Sequence, residues 1–270
     1  MTLIGMLCVL AATFPLAGAE KPNIIFILTD ELGYGDVGVL FQKQREGVQV
    51  QTPELDKMAG AGTILNRHYC PAPICAPSRA SLITGMHQGH TNVRNMQFDK
   101  AIEDNWNFAN TLQKVGYHTI HLGEYGLQGW GHTPEKWAGY PTKRGFDYFY
   151  GYVRHVDGHQ HYPANEWSLG DNKSHQGKKQ VWENNEEVSA GLDKCYTTDL
   201  WTAKAKQLII SETRENPGRP FFMFLSYDTP HAALQLPTVA YPAGKGVKGG
   251  IQWLGKPGKM INTAKGTIDD

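Results

Sequence analysis

The chain has 270 residues, 40% of them hydrophobic, and its 26 Lys plus Arg balance 26 Asp plus Glu, so the formal net charge is zero. A neutral balance offers no general attraction for nucleic acid or for an anionic lipid surface, and any anion must be held by a local cluster. The length allows one large domain or two small ones with a substantial core, and the 11% of aromatic residues argues against a disordered chain.

Residues 1–19 stand apart. Leu3 to Leu16 is almost wholly apolar or small, and Ala17-Gly18-Ala19 has the small-x-small form of a cleavage site. The stretch is too short to span a bilayer comfortably, so a secretory signal peptide is expected, with a secreted or periplasmic mature chain over 20–270 and no membrane span elsewhere. Its n-region carries no Lys or Arg. Removing it takes Cys8 and leaves Cys70, Cys75 and Cys195. With an odd number, at least one cysteine lies outside any intramolecular disulfide. Cys70 and Cys75 are separated by Pro71-Ala72-Pro73-Ile74, neither a Cys-x-x-Cys redox pair nor a common zinc spacing.

The apolar run from Pro22 to Thr29 ends abruptly at Asp30-Glu31 and suits a strand covered on both faces. Thr52-Pro53 reads as N-cap and first helical residue of a helix with Leu55 and Met58 on one face, stopped at Gly60 or Gly62. A second helix fits Phe108, Leu112 and Val115, closed by Gly116, and is followed by a strand over Tyr117 to Leu122. Residues 155–195 are polar and loop-like, with His155, His159, His161 and His175; Asn172-Lys173-Ser174 within them is a glycosylation sequon. Asp199 is expected to cap a longer helix with Trp201, Ala205 and Leu208 on one stripe. Pro217 to Pro220 then leads into a buried-looking strand, Phe221 to Tyr227. Residues 237–270 are Gly- and Lys-rich and find no place in a core. Alternating helices and strands predict an α/β fold with a mostly parallel central sheet flanked by helices. In such sheets ligands gather at the carboxyl ends of strands, here Asp30-Glu31, Gly123-Glu124 and Asp228 to His231.

Pro77 and Ser78 can start a helix, which places Cys75 at its N-terminus, where the dipole favours negative charge. The residues by themselves suggest a lowered-pKa thiolate nucleophile, although no sequence-local base accompanies it.

Cys75-Ala76-Pro77-Ser78-Arg79 with Thr84-Gly85 resembles the signature of type I sulfatases, in the alkaline phosphatase superfamily. Lys21 to Ile25 leading to Asp30-Glu31-Leu32-Gly33-Tyr34-Gly35-Asp36, then Thr52-Pro53-x-Leu55-Asp56, Gly116-Tyr117-x-Thr119, Gly145-Phe146-Asp147 and Pro220-Phe221-Phe222 through Pro230-His231, match the family's landmarks in order. The resemblance implies a sulfuric-ester hydrolase whose Cys75 is converted to Cα-formylglycine by a formylglycine-generating enzyme. One oxygen of the hydrated aldehyde attacks sulfur, and the diol then expels sulfate by breaking its own C–O bond. It also implies a divalent metal, Ca²⁺ before Mg²⁺, held by Asp30, Glu31 and residue 75. Arg79 orders the diol or balances the metal carboxylates, and His231 touches sulfate and protonates the leaving oxygen. The substrate class is an aryl sulfate or a sulfated carbohydrate. Phosphatases of the same superfamily use Thr or Ser at the nucleophile position and have no need of Cys-x-Pro-Ser-Arg.

Two departures qualify the implied activity. The block Gly123-Glu124-Tyr125-Gly126-Leu127-Gln128-Gly129 puts Glu124 where the family has a sulfate-binding lysine, and Gly126 where it has a histidine. A carboxylate facing sulfate would repel it, so Glu124→Lys is expected to raise turnover; His155 is the candidate substrate contact. The family's Asp-Asn metal pair, further lysine and smaller C-terminal domain have no counterpart after His231, which suggests a fragment of a longer catalytic domain. The alternative is an impaired relative that binds sulfated glycans without turnover.

Overall fold

The computed structural model describes residues 21–47, 49–96, 100–163, 177–192, 195–231, 234–237 and 257–261. The signal segment, His175 and the sequon at Asn172 lie outside them. The elements in chain order are β1 (Ile24–Leu28), α1 (Pro53–Ala61), α2 (Cys75–Thr84), α3 (Phe108–Lys114), β2 (His118–Glu124), β3 (Tyr148–Tyr152), β4 (Val181–Glu183), β5 (Glu186–Glu187), α4 (Thr197–Glu215), β6 (Phe221–Ser226), β7 (Leu234–Pro237) and β8 (Pro257–Ile261). Six strands form one sheet in the order β1-β6-β2-β3-β4-β5. The first four in that order are parallel, and β4 and β5 close the far side antiparallel. The sheet is therefore the mostly parallel, helix-flanked α/β type that the sequence predicts. Strands β7 and β8 pair with each other antiparallel, and β8 falls within 237–270, the stretch that found no place in a core.

The unbroken apolar run of β6 follows from burial on both faces. Phe222 and Phe224 pack with Phe149 against Ala76, Ala80 and Ile83 of α2 and Ala109 of α3. Phe221, Met223 and Leu225 point the other way, joining Ile120, Leu122, Tyr150 and Tyr152 beneath Leu200, Trp201 and Ala205 of α4. Alternation along one strand thus feeds two cores. Strand β1 departs from the expectation of two covered faces: Ile25, Phe26 and Ile27 are 44%, 37% and 54% exposed. Its only ladder partner among the described residues is β6, so half of its surroundings are open.

Several boundaries differ from the sequence reading. Thr52 is the residue before α1 but caps nothing with its side chain; its hydroxyl accepts from the Gly38 N–H (2.8 Å) and bonds Asp56 Oδ1 (3.2 Å). Leu55 and Met58, which the sequence sets on one face of the helix, are both exposed. Helix α4 starts at Thr197 with Tyr196 at its cap, so Asp199 lies inside the first turn, where a carboxylate still complements the dipole. The aromatic strand β3 and the hairpin β4–β5 were not foreseen. Residues 155–163, read as a polar loop, are instead buried: His155, Val156, Asp157, Gln160, His161 and Tyr162 are each 8% exposed or less.

Candidate active site

The carboxyl ends of β1, β6 and β2 lie side by side, and α2 points its N-terminus at them. Cys75 is the first residue of α2, with Ile74 at the cap. Arg79 is one turn further on, 3% exposed, and its guanidinium ties the three strand ends together. Nη1 donates to the Glu124 carbonyl (2.8 Å) and to Ser226 Oγ. Nη2 donates to Glu124 Oε2 (2.8 Å) and Asp30 Oδ2 (3.2 Å). A cavity of about 240 Å³ opens beside it, lined by Asp30, Glu31, Cys70, Cys75, Ser78 and Arg79 among others, but not by Glu124.

Burial, and after it the carboxylates of Asp30 and Glu124, push the Cys75 thiol up to about 12, against the opposing pull of Arg79. At neutral pH the residue is a protonated thiol, which corrects the thiolate reading: the helix N-terminus is outweighed by desolvation and two nearby acids. Burial also raises Asp30, but the charges of Arg79 and His231 outweigh it and hold Asp30 below its ordinary value. Glu124 goes the opposite way. Its complete burial, reinforced by Asp30 and Asp228, keeps it well above the usual carboxylate range despite Arg79.

Donor atoms of Asp30, Cys75 and His231 lie within 4.8 Å of one another. Glu31, in left-handed backbone (φ 66°), is half-exposed and sets Oε1 3.6 Å from His231 Nε2. Glu31, expected among the metal ligands, is not in this donor cluster, where Asp30 supplies the carboxylate oxygen suited to a hard divalent cation.

His155, the expected substrate contact, is 1% exposed and lies behind Glu124, with Nδ1 3.4 Å from Glu124 Oε1. Its Nε2 is 3.3 Å from His159 Nε2, and the His159 ring stacks on His231 at 4.3 Å. His161 Nδ1 meets Asp228 Oδ2 at 3.2 Å while its Nε2 meets the His231 carbonyl at 3.0 Å. Asp228 also accepts from Thr197 Oγ1 (2.7 Å) and Trp201 Nε1 (2.9 Å), which anchors this end of β6 to α4.

Residues 22–250 match the sequence model of the Sulfatase family. The chain belongs to the sulfatase family. It is 31% identical over 227 residues to arylsulfatase J of Mus musculus, covering 82% of this chain and 34% of that protein. It is 29% identical over 272 residues to arylsulfatase G of Homo sapiens, covering 93% and 49%. Among solved structures it resembles Ps i-CgsB, with a TM-score of 0.61, 29% identity, and 81% of this chain against 47% of that one. A second structure of Ps i-CgsB, in complex with k-i-k-neocarrahexaose, aligns with a TM-score of 0.59 at 28% identity over 78% of this chain and 46% of that one. The chain thus spans between a third and a half of the length of these relatives.

Seen as a sulfatase-family site, the structure lines one cavity with Asp30, Glu31, Cys75 and Arg79, brings His231 within 4.8 Å of Asp30 and Cys75, and sets His155 behind Glu124. Sequence reasoning did not assign roles to His159 and His161. The available signal was the alternation His159-Gln160-His161 directly before Tyr162-Pro163, close to a strand end.

Proposed function

We propose that this chain carries the nucleophile, metal-binding and leaving-group residues of a sulfuric-ester hydrolase, with Cys75 converted to Cα-formylglycine by a formylglycine-generating enzyme. The observation that supports it best is the placement of an intact Cys-x-Pro-Ser-Arg run. Cys75 faces the cavity opposite Asp30, and as a thiol held near 12 it is a poor nucleophile until it is modified.

In the modified residue a hydroxyl of the hydrated aldehyde attacks sulfur and the second hydroxyl allows sulfate to leave by C–O cleavage. Asp30 and Glu31 would hold Ca²⁺ in preference to Mg²⁺, a cation that supplies a lowered hydroxyl pKa and polarisation of a sulfate oxygen. Arg79, fixed by four hydrogen bonds, keeps Asp30 ionised and adds positive charge beside the anion. The His231 ring gives a proton to the leaving oxygen. His155 belongs to the wall of the site and acts through Glu124 and His159. Substrates would be aryl sulfates or sulfated carbohydrates, met outside the cytoplasm if residues 1–19 act as a signal.

The test is co-expression with a formylglycine-generating enzyme, followed by mass spectrometry of the Cys75 peptide. The mass loss of thiol-to-aldehyde conversion is expected, together with sulfate release from an aryl sulfate that Cys75→Ala abolishes. Finding only free or disulfide-bonded Cys75 would sink the reading. Full modification with no release, alongside binding of a sulfated oligosaccharide, would instead identify a non-hydrolysing glycan binder.

A further inference from the structure

Strand β6 leads to His231 through Asp228, Thr229 and Pro230, and this short path is tied down from several sides. Asp228 is held by Thr197 and Trp201 of α4. Thr229 gives its carbonyl to the Asp30 N–H (3.1 Å), and its hydroxyl meets that of Thr198 at 2.9 Å. Residue 231 itself is met by His161, whose Nε2 lies 3.0 Å from the His231 carbonyl while Nδ1 lies 3.2 Å from Asp228 Oδ2. His161 is fully buried, and its own carbonyl accepts from the Thr197 N–H (2.9 Å) at the start of α4. Two residues earlier, the His159 ring lies flat on the His231 ring, with centroids 4.3 Å apart and 10° between planes. One short segment therefore meets His231 twice, once at the backbone and once at the ring.

The partners decide what His161 donates. A carbonyl oxygen only accepts, so the hydrogen between Nε2 and residue 231 belongs to the ring. Nδ1 faces a carboxyl oxygen, where one hydrogen, on the ring or on the acid, completes the bond; the bond to residue 231 is the same in either case. The Asp228 side anchors the ring to α4 and β6. The carbonyl side places the backbone from which the His231 side chain springs, and a displacement of about 1 Å at a reacting group can cost about a hundredfold in rate.

We propose that His161 is a positioning residue: by donating from Nε2 to the backbone carbonyl of residue 231, it fixes where the His231 ring, seated on His159, stands relative to the leaving oxygen. The proposal rests on the hydrolase reading in taking His231 as the proton donor to the leaving group. The two ends of His161 can be separated experimentally. An Asn side chain sets its amide nitrogen near the place of Nδ1 and keeps the contact to Asp228, whereas Gln reaches the place of Nε2 and keeps the donor to the carbonyl.

The test has a spectroscopic and a kinetic arm. Nitrogen NMR of the 270-residue chain carrying ¹⁵N-labelled histidine, assigned by single replacements, should show a hydrogen on His161 Nε2 that exchanges slowly with solvent. Wild-type His161 without a hydrogen there overturns the proposal even if every variant fails to fold. For turnover, kcat/KM is compared at equal formylglycine content between phenyl sulfate, whose leaving oxygen needs a proton, and 4-nitrophenyl sulfate, whose leaving oxygen needs it far less. His161→Asn should lose about tenfold or more on phenyl sulfate and less than about threefold on 4-nitrophenyl sulfate, the signature of a misplaced proton donor, while His161→Gln stays close to wild type on both. Equal losses on the two substrates would show that His161 serves the fold alone, and a Gln variant as impaired as Asn would show that the bond to residue 231 is not what matters; either overturns the proposal. Absence of turnover in every form, wild type included, would sink the hydrolase reading and the catalytic role built on it, while the Nε2–H bond would still be decided by the spectra.

Discussion

A single guanidinium organises the centre of this molecule. Arg79, 3% exposed, meets two carboxyl groups, a carbonyl and a hydroxyl, and the energetics of the neighbouring acids follow from it. Asp30 stays ionised because Arg79 and His231 face it, while fully buried Glu124 is raised. The sequence suggested that Glu124 repels sulfate and that a lysine there would help. The structure turns the side chain away from the cavity and onto Arg79, so Glu124→Lys would place a second cation against a buried guanidinium. Breaking a buried pair by removing one partner costs about 3–5 kcal/mol. Glu124→Lys should therefore lower the urea midpoint strongly and give no gain in turnover; a variant as stable as wild type with faster hydrolysis would restore the charge-reversal argument. Cys75, Arg79 and Asp30 were legible because their motifs are local. The direction of Glu124 was not, because it is decided by Gly158, thirty-four positions along the chain, and by a helix packed across the sheet.

At the scale of elements, the strands that carry the site were the readable ones. β1 and β6 announce themselves as apolar runs leading to acids, and β2 as a strand-like stretch after Gly116. β3 did not, because Tyr148-Phe149-Tyr150-Gly151-Tyr152 is short, aromatic and interrupted by glycine. The β4–β5 hairpin carried its signal in Asn184-Asn185, with Asn184 at φ 50°, a turn chemistry that the polar surroundings obscured. Close approach of β2 to β6 depends on Gly123, at φ 93°, where a Cβ would lie 1.9 Å from the Ser226 carbonyl oxygen. Gly123→Ala combines that clash with left-handed strain and should destabilise by more than about 1 kcal/mol, while displacing Glu124 and Ser226 from Arg79. Normal stability would mean that β2 and β6 can separate there without cost. Asp147 joins α3, β2 and the start of β3. Burial raises it, but bonds from the Thr119 N–H (3.0 Å), Gln113 Nε2 (2.6 Å) and the Thr119 hydroxyl outweigh burial and hold it below its usual 3.8. A depressed acid stabilises the fold above its unfolded-state value, and that stability is lost as pH falls through the folded value. The difference in stability between wild type and Asp147→Asn should accordingly be constant near neutrality and shrink below the usual aspartate range. A difference independent of pH would show that Asp147 acts by shape alone.

On the scale of the whole molecule, the sheet is unequally clothed. By its register with β6, β1 sets Ile25 and Ile27 opposite Met223 and Leu225, on the face that α4 covers, and Phe26 opposite Phe224 on the face of α2 and α3. Phe26 finds company there, with its ring 5.6 Å from Phe224. Ile25 and Ile27 lie beyond the reach of α4 and remain about half exposed. The sequence could not foretell this, since an apolar run reads the same whether one or two neighbours cover the strand; coverage is a property of what packs outside it. An edge that is unpaired among the described residues and bears exposed isoleucines invites pairing with another chain, and net charge offers no protection because positive and negative residues cancel. Sedimentation of the 270-residue chain should therefore show concentration-dependent self-association that rises with salt, since screening removes what repulsion remains. Ile27→Lys puts a charge on the open face and should reduce that association while leaving the cavity, whose lining on this strand begins at Leu28, unchanged. A wild-type chain that stays monomeric at high concentration, or a lysine variant that associates as strongly, would show that the edge is already shielded and that β1 is not the sticky element of this fold.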